Sequence, residues 1–375
     1  MKVGIVAGEK SGDYLGAELI KAFKRVHPNA EFVGLCGPLM QEQGARTLAE
    51  MDKISIMGLA GVITGLPSIL SIRRKLYRHF IADPPDFFIG IDVPDFNLGL
   101  ELKLKKQGIP TVHYVSPTVW AWRPKRVKKI RKAINLMLTL FPFEEQFYKK
   151  HQTPVKYVGH PFASQILNWP VDTALRASLL GPREKLIAIL PGSRMSEVSR
   201  LAPEMLKAAY HLRQQRPELS FVIPAANEKI SNYLLNELNI DQTIVQLVDG
   251  RSRDIMCISD LVILASGTAA LEAALFAKPM VVMYKMDRLT VFLFKHTVQV
   301  KHFSMPNHLT DPPIVAELIQ HEATAENLIE QVERLLDDAS HYEKSRAALA
   351  EIAPALSADS GKLACDAILE MVRKS

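Results

Sequence analysis

Short apolar runs of strand length recur along the chain, separated by segments with a helical pattern. In the first half the runs are KVGIVAG, AEFVGLCG, FFIGID, PTVHYV, NLMLTL and VKYVG. In the second half they are KLIAILPG, LSFVIPAA, TIVQLVDG, DLVILASG and PMVVMYK. The helical segments include GDYLGAELIKAFKRV, DFNLGLELKLKKQG, SEVSRLAPEMLKAAYHLRQQ and GTAALEAALFA. Strand–helix alternation predicts parallel sheets covered by helices on both faces. Two such series predict an α/β protein of two doubly wound, Rossmann-like domains. The expected domains are residues 1–165 and 166–350. Pro161, Trp169 and Pro170 interrupt the pattern near the boundary. The tail from Ala323 onward is helical and strand-free, and residues 351–375 are expected to pack back toward the first domain. Ligands of doubly wound sheets bind at the carboxyl ends of the strands. Two facing domains therefore predict a cleft lined by the strand–helix loops.

Composition narrows the class. At 375 residues the chain is long for one domain and comfortable for two. A hydrophobic fraction of 48% with mixed charge argues against disorder. The net charge of +6 suits a polyanionic partner without naming one. Cys36, Cys257 and Cys365 show no metal-ligand or redox spacing, which fits a reducing, cytosolic compartment. The opening MKVGIVAGEKSGD reads as a buried strand and turn, too soon interrupted for a signal peptide. The longest uncharged run, Ile54–Ile72, holds three glycines and a proline, which weakens a transmembrane reading.

Several strand–helix loops carry candidate chemistry. In LPGSR, Gly192 relieves a tight turn, Ser193 is placed to cap the helix, and Arg194 stands at the helix start against the dipole. An anion seated between Arg194 and the helix amides would explain that placement; an exposed arginine beside an ordinary cap would too. Ser266, Gly267 and Thr268 offer backbone and hydroxyl donors to a phosphate, or a simple helix cap. Glu272, one turn later, is placed to accept from a vicinal diol or to answer the dipole. The loop GEKSGDYLG departs from G-x-G-x-x-G because position 10 is Lys, so the dinucleotide fingerprint is missing. Its Ser11 and Gly12 suit a sugar-binding loop, with Ser11 and Asp13 as helix caps in the plainer reading.

In GIDVPDF, Asp92 ends a buried strand, partly desolvated and suited to take a proton from a hydroxyl. Asp95 reads as the N-cap of the next helix. Seven of the ten residues from Arg123 to Lys132 are basic, beside Trp120 and Trp122. That combination fits single-stranded nucleic acid, an anionic lipid surface, or a solvated face. The Ile54–Ile72 run fits a core helix pair or a surface that meets acyl chains; its glycines and proline favour the second.

The motifs GEKSGD, MGLAGV, GIDVPDF, HYVSPTVWAWRPKRV, FPFE, YVGHP, LPGSR, LASGTAALEA and SMPN follow one another in this order. In that order the chain resembles the lipid-A-disaccharide synthases, inverting glycosyltransferases of the two-domain GT-B type. The resemblance implies transfer of a sugar from UDP-2,3-diacylglucosamine to 2,3-diacylglucosamine 1-phosphate. The acceptor 6-hydroxyl would attack the anomeric carbon, giving a β-1,6 disaccharide phosphate and UDP. It implies Asp92 as base and Ser193, Arg194, Ser266, Gly267 and Thr268 on the diphosphate. Glu272 would hold the ribose, Asn307 would line the site, and Ser11 and Gly12 would face the sugar. Met57, Val62, Leu66 and Ile69 would accept acyl chains, with Arg123, Lys125, Arg126, Lys128 and Lys129 at the membrane surface. No cofactor and no metal are implied, the UDP-sugar being a substrate; no Asp-x-Asp pair occurs in the chain. The implied setting is cytoplasmic and peripheral to the inner membrane, among its surface lipids and without nucleic acid. A homodimer is compatible with it. The competing readings are a UDP-sugar epimerase or GT-B transferase with a soluble substrate, and a non-catalytic peripheral membrane binder.

Overall fold

The computed structural model describes residues 1–51, 59–122, 124–286 and 302–374, with the side chains of 59–66, 122 and 124 also left aside. The chain forms two compact units, Met1–Phe162 with Leu356–Ser375, and Ala163–Ala355. Each is a parallel sheet wrapped by helices, as the alternation of apolar runs and helical segments requires.

The first sheet comprises β1 (Lys2–Ala7), β2 (Glu31–Leu35), β3 (Arg46–Thr47), β4 (Phe87–Ile91), β5 (Thr111–Tyr114), β6 (Leu136–Thr139) and β7 (Val155–Tyr157). Their order is β3-β2-β1-β4-β5-β6-β7. The second holds β8 (Lys185–Leu190), β9 (Leu219–Ala225), β10 (Val245–Asp249), β11 (Leu261–Ala265), β12 (Met280–Tyr284) and β13 (Ala316–Ile319), ordered β10-β9-β8-β11-β12-β13. All recorded pairings are parallel. The central strands β4, β8 and β11 are apolar on nearly every residue because helices cover both faces. The edge strands β3 and β13 were not marked by an apolar run: β3 is two polar residues and β13 carries Glu317.

Strand order reverses between β1 and β4 in the first sheet and between β8 and β11 in the second. At each reversal the chain leaves the sheet on opposite faces, which opens a crevice at the carboxyl ends of the two strands. In register, Ala7 lies beside Ile91 and Leu190 beside Leu264. The loops carrying Ser11, Asp92, Arg194 and Ser266 therefore all begin at these two reversals.

The Leu59–Ala82 helix runs through Gly61, Gly65 and Pro67, which were expected to make this run a poor core helix. Its C-terminal half holds it in place: Ile72, Leu76 and Phe80 pack with Phe88, Phe96 and Leu100. In the C-terminal tail the Ser360–Lys374 helix lies close on Lys10–Val26. A Cβ at Gly361 would stand 2.9 Å from the Glu18 carbonyl, so glycine allows that approach.

Candidate active site

At the first reversal, β1 passes into the Lys10–Val26 helix. Its N-cap is Glu9, without a side-chain cap bond, so neither Ser11 nor Asp13 caps it. The Asp13 carboxylate instead accepts from the Leu39 and Met40 amides at 2.9 and 3.0 Å, tying in the next helix. Ser11 is exposed on the first turn and Gly12 is buried. A Cβ at Gly12 would lie 3.4 Å from the Ala7 Cβ and 3.5 Å from the Ile91 Cγ2, so this helix start rests directly on the ends of β1 and β4.

Asp92 follows β4 and is half-buried. Its amide donates to the Tyr114 carbonyl at 2.8 Å, and its carbonyl accepts from Asn97 Nδ2 at 2.8 Å. Asp92 and Val93 both have left-handed backbone, φ 52° and 42°. Such conformations cost about 1–3 kcal/mol each and persist where the surroundings over-determine them. Val93, not Asp95, is the N-cap of the Pro94–Lys105 helix. Asp95 sits exposed in the first turn, paired with Arg126. Proline at the first helical position forces this shift, because it enters the helix without needing an amide partner.

At the second reversal Gly192 takes φ 126°, where a Cβ would meet Glu197 Oε2 at 2.7 Å. The N-cap of the Met195–Gln215 helix is Arg194, not Ser193, and it makes no side-chain cap bond. Ser193 is exposed. Arg194 Nη1 pairs with Glu197 Oε1 at 3.0 Å, which offsets its position against the helix dipole without an added anion.

The Ser266 amide extends the sheet to the Met283 carbonyl at 2.8 Å, and its hydroxyl donates to the Phe303 carbonyl at 3.1 Å. Gly267 is the extended N-cap of the Thr268–Leu275 helix, and a Cβ there would meet nothing within 4 Å. Glycine thus leaves open space against the helix amides, with Thr268 exposed beside it. Glu272 accepts on Oε1 from Arg253 Nε at 3.1 Å and Nη2 at 2.9 Å. Arg253 in turn lies over the Trp169 ring, 6.0 Å from its centroid.

Asn307 is buried and its amide is engaged on all sides. Nδ2 donates to the Val315 carbonyl at 2.9 Å and to Glu317 Oε1 at 2.7 Å, and Oδ1 accepts from the Ile314 and Val315 amides at 3.0 and 2.9 Å. Glu317 also accepts from the Phe303 amide at 2.8 Å and from the Ser304 amide and hydroxyl at 3.0 and 2.6 Å. Asn307 therefore does not line an open surface. It braces, with Glu317, the segment whose Phe303 carbonyl receives the Ser266 hydroxyl.

Of the residues expected to meet lipid, Met57 and Arg123 lie outside the described residues, as do the side chains of Val62 and Leu66. Ile69 packs against the core around Phe88 rather than facing outward, while Leu70, 42% exposed, points away from it. Lys125, Lys128 and Lys129 are exposed. The Val127–Ala133 helix buries Val127, Ile130 and Ala133, so its lysines form the outer side of a docked helix. Trp120 is drawn inward, its Nε1 donating to Glu144 Oε1 at 3.3 Å and its ring edge-on to Phe143 at 4.9 Å. A cavity of about 990 Å³ opens beside the end of β2, with Lys10 and Lys75 among its walls and Leu48, Met51 and Ile72 among its apolar lining.

FPFE and YVGHP stand among the ordered motifs of the chain, but nothing in their pattern marks Glu144. Glu144 is buried, and burial pushes its pKa up to about 8. Burial lowers the His160 pKa to about 4, with its ring 5.7 Å from that of Phe141. Behind Asp92, Glu101 and His113 form a fully buried pair, Oε1 to Nδ1 2.7 Å, and burial raises the Glu101 pKa against the pull of His113. Among the described residues no cluster of His, Cys, Asp and Glu could hold a metal ion, and no helix is long and apolar enough to cross a membrane.

A family model described as lipid-A-disaccharide synthetase matches residues 3–366. The lipid-A-disaccharide synthase of Hahella chejuensis is 48% identical over 331 residues, covering 88% of this chain and 84% of the relative. That of Pseudomonas fluorescens is 45% identical over 372 residues, covering 99% and 98%. Among solved structures, a UDP-GlcNAc 2-epimerase from Neisseria meningitidis bound to UDP-GlcNAc superposes with a TM-score of 0.64 at 14% identity, covering 100% of both chains. The glycosyltransferase of kitacinnamycin gives 0.65 at 13%, covering 99% and 98%. At these identities the structural likeness is one of fold.

Proposed function

The chain belongs to the lipid-A-disaccharide synthetase family, and from that premise we propose how its loops divide the work of sugar transfer. The protein is a glycosyltransferase that makes the lipid A disaccharide. Family membership selects this activity over the epimerase and over the non-catalytic membrane binder. In our reading the donor is UDP-2,3-diacylglucosamine and the acceptor is 2,3-diacylglucosamine 1-phosphate.

Asp92 removes the proton of the acceptor 6-hydroxyl as that oxygen attacks the anomeric carbon. Attack on the face opposite the leaving group inverts the anomeric centre and gives the β-linked product. UDP leaves with growing negative charge on its diphosphate. The amides at the start of the Met195–Gln215 and Thr268–Leu275 helices, with Arg194, supply positive charge to meet it. For Arg194 this means exchanging Glu197 for the diphosphate, and for Glu272 it means exchanging Arg253 for the ribose hydroxyls. The cavity beside β2, whose walls hold Lys10 and Lys75 with Asp13 and Glu50 and a partly apolar lining, is the proposed seat of the acylated sugar phosphate. The lysines at 125, 128 and 129 suit an anionic leaflet.

The observation that carries this reading is topological. Ser11 and Asp92 stand at the reversal of one sheet, and Arg194 and Ser266–Thr268 at the reversal of the other. To test it, the full chain is incubated in detergent with both substrates and EDTA, and products are identified by mass spectrometry. Disaccharide phosphate and UDP in equal amounts support the reading. UDP released without disaccharide, or no reaction by a protein that binds UDP, refutes the choice of acceptor.

A further inference from the structure

Two consecutive left-handed residues, Asp92 and Val93, connect β4 to the helix that follows. Neither is glycine, and a β-branched residue is especially disfavoured there, so this turn needs a restraint. Asn97 provides one. Its Nδ2 donates to the Ile91 carbonyl at 3.2 Å and to the Asp92 carbonyl at 2.8 Å, and its own amide donates to the Val93 carbonyl at 3.0 Å. Asn97 thus bonds to three successive carbonyls across the strained turn.

The asparagine is itself fixed from below. A Cβ at Gly90 would stand 2.8 Å from the Asn97 Cβ and would run into Glu101 Oε1, so glycine lets the helix lie flush on β4. One helical turn on, Glu101 grips His113 of β5 at 2.7 Å. Asn97, Glu101 and His113 have no exposed surface. Packing alone does not call for an amide here, because Asn97 Oδ1 is buried without a hydrogen-bond partner. A side chain kept at that cost is explained by the carbonyls its other half restrains.

We propose that Asn97 is a positioning residue for the transfer reaction, holding the Ile91 and Asp92 carbonyls so that the left-handed turn aims the Asp92 carboxylate at the acceptor hydroxyl. This rests on Asp92 acting as the base. The direction of the Asp92 side chain follows from its own backbone angles, and relaxing the turn would swing the carboxylate away. A misplacement of about 1 Å costs on the order of a hundredfold in rate.

The test compares full-length Asn97→Ala and Asn97→Leu with wild type; the leucine keeps the volume without the donors. Turnover, both KM values, UDP affinity and Tm are measured. The expected result in both variants is a kcat lowered by at least about tenfold, with KM values and UDP affinity within about twofold. A kcat within about twofold of wild type in either folded variant overturns the proposal. So does a kcat loss matched by equal losses in KM and UDP affinity, which is what general loosening would give. Asp92→Asn run in parallel separates the two ideas. If it retains turnover, the base assignment falls; if it abolishes turnover while the Asn97 variants stay active, only the positioning role falls.

Discussion

Replacing Glu144 with glutamine should make the first unit less sensitive to pH. The carboxyl is 3% exposed, and burial holds its pKa near 8 against the pull of the Phe141 amide and Trp120 Nε1, each 3.3 Å away. In the unfolded chain it titrates near 4.5. Between these values the unfolded chain has released the proton and the folded chain has kept it. The folded state then binds more protons, so the stability of wild type falls as pH rises, by at most about 1.4 kcal/mol per pH unit. Below that window both states are protonated, and above it both are ionised. Glutamine carries no such proton, but its NH2 group must face one of the two donors, a loss of about 1 kcal/mol. The variant should therefore be less stable at the acid end of the window and gain on wild type toward pH 8. Urea denaturation followed by tryptophan fluorescence reads this unit, because Trp120 and Trp122 are two of the chain's three tryptophans. Stability curves that run parallel for the two proteins across the window would refute the reasoning.

Glu272→Ala should weaken UDP binding by about 1 kcal/mol or more, seen by calorimetry; unchanged affinity would remove Glu272 from the ribose. Asn307→Ala should lower the thermal stability of the second unit by about 2–4 kcal/mol, because it strips four hydrogen bonds from a buried brace. A Tm equal to that of wild type would contradict that role. Lys128→Glu with Lys129→Glu should reduce sedimentation with anionic vesicles at low salt and leave turnover on detergent-dispersed substrate unchanged. Equal vesicle binding by variant and wild type would place the membrane contact elsewhere.

The central strands were legible because a strand covered on both faces must be apolar at almost every position, as β4 and β8 are. Edge strands lack that constraint, and Arg46–Thr47 and Ala316–Ile319 left no such run. Helix starts were misplaced in three loops. Asp13, Ser193 and Asp95 all look like caps in sequence, yet the caps are Glu9, Arg194 and Val93. Glu101 with His113, and Trp120 with Glu144, are partners twelve and twenty-four residues apart that only the adjacency of β4, β5 and β6 brings together. Ile69 was read as lipid-facing because the glycines and proline of its run are poor choices for a core helix, and the packing of its helix on Phe88 decided otherwise. Loop positions for Asp92, Arg194 and Ser266 were legible, since each follows an apolar run directly; the ion pairs that hold Arg194 and Glu272 were not.

Single-turnover transfer by Asp92→Asn, measured beside its UDP affinity, tests the assignment of the base most directly. A positioned general base contributes about 10²–10⁴-fold. The variant should lose turnover by that factor while binding UDP as tightly as wild type. Transfer within about tenfold of wild type, with UDP bound, would mean that another group takes the proton.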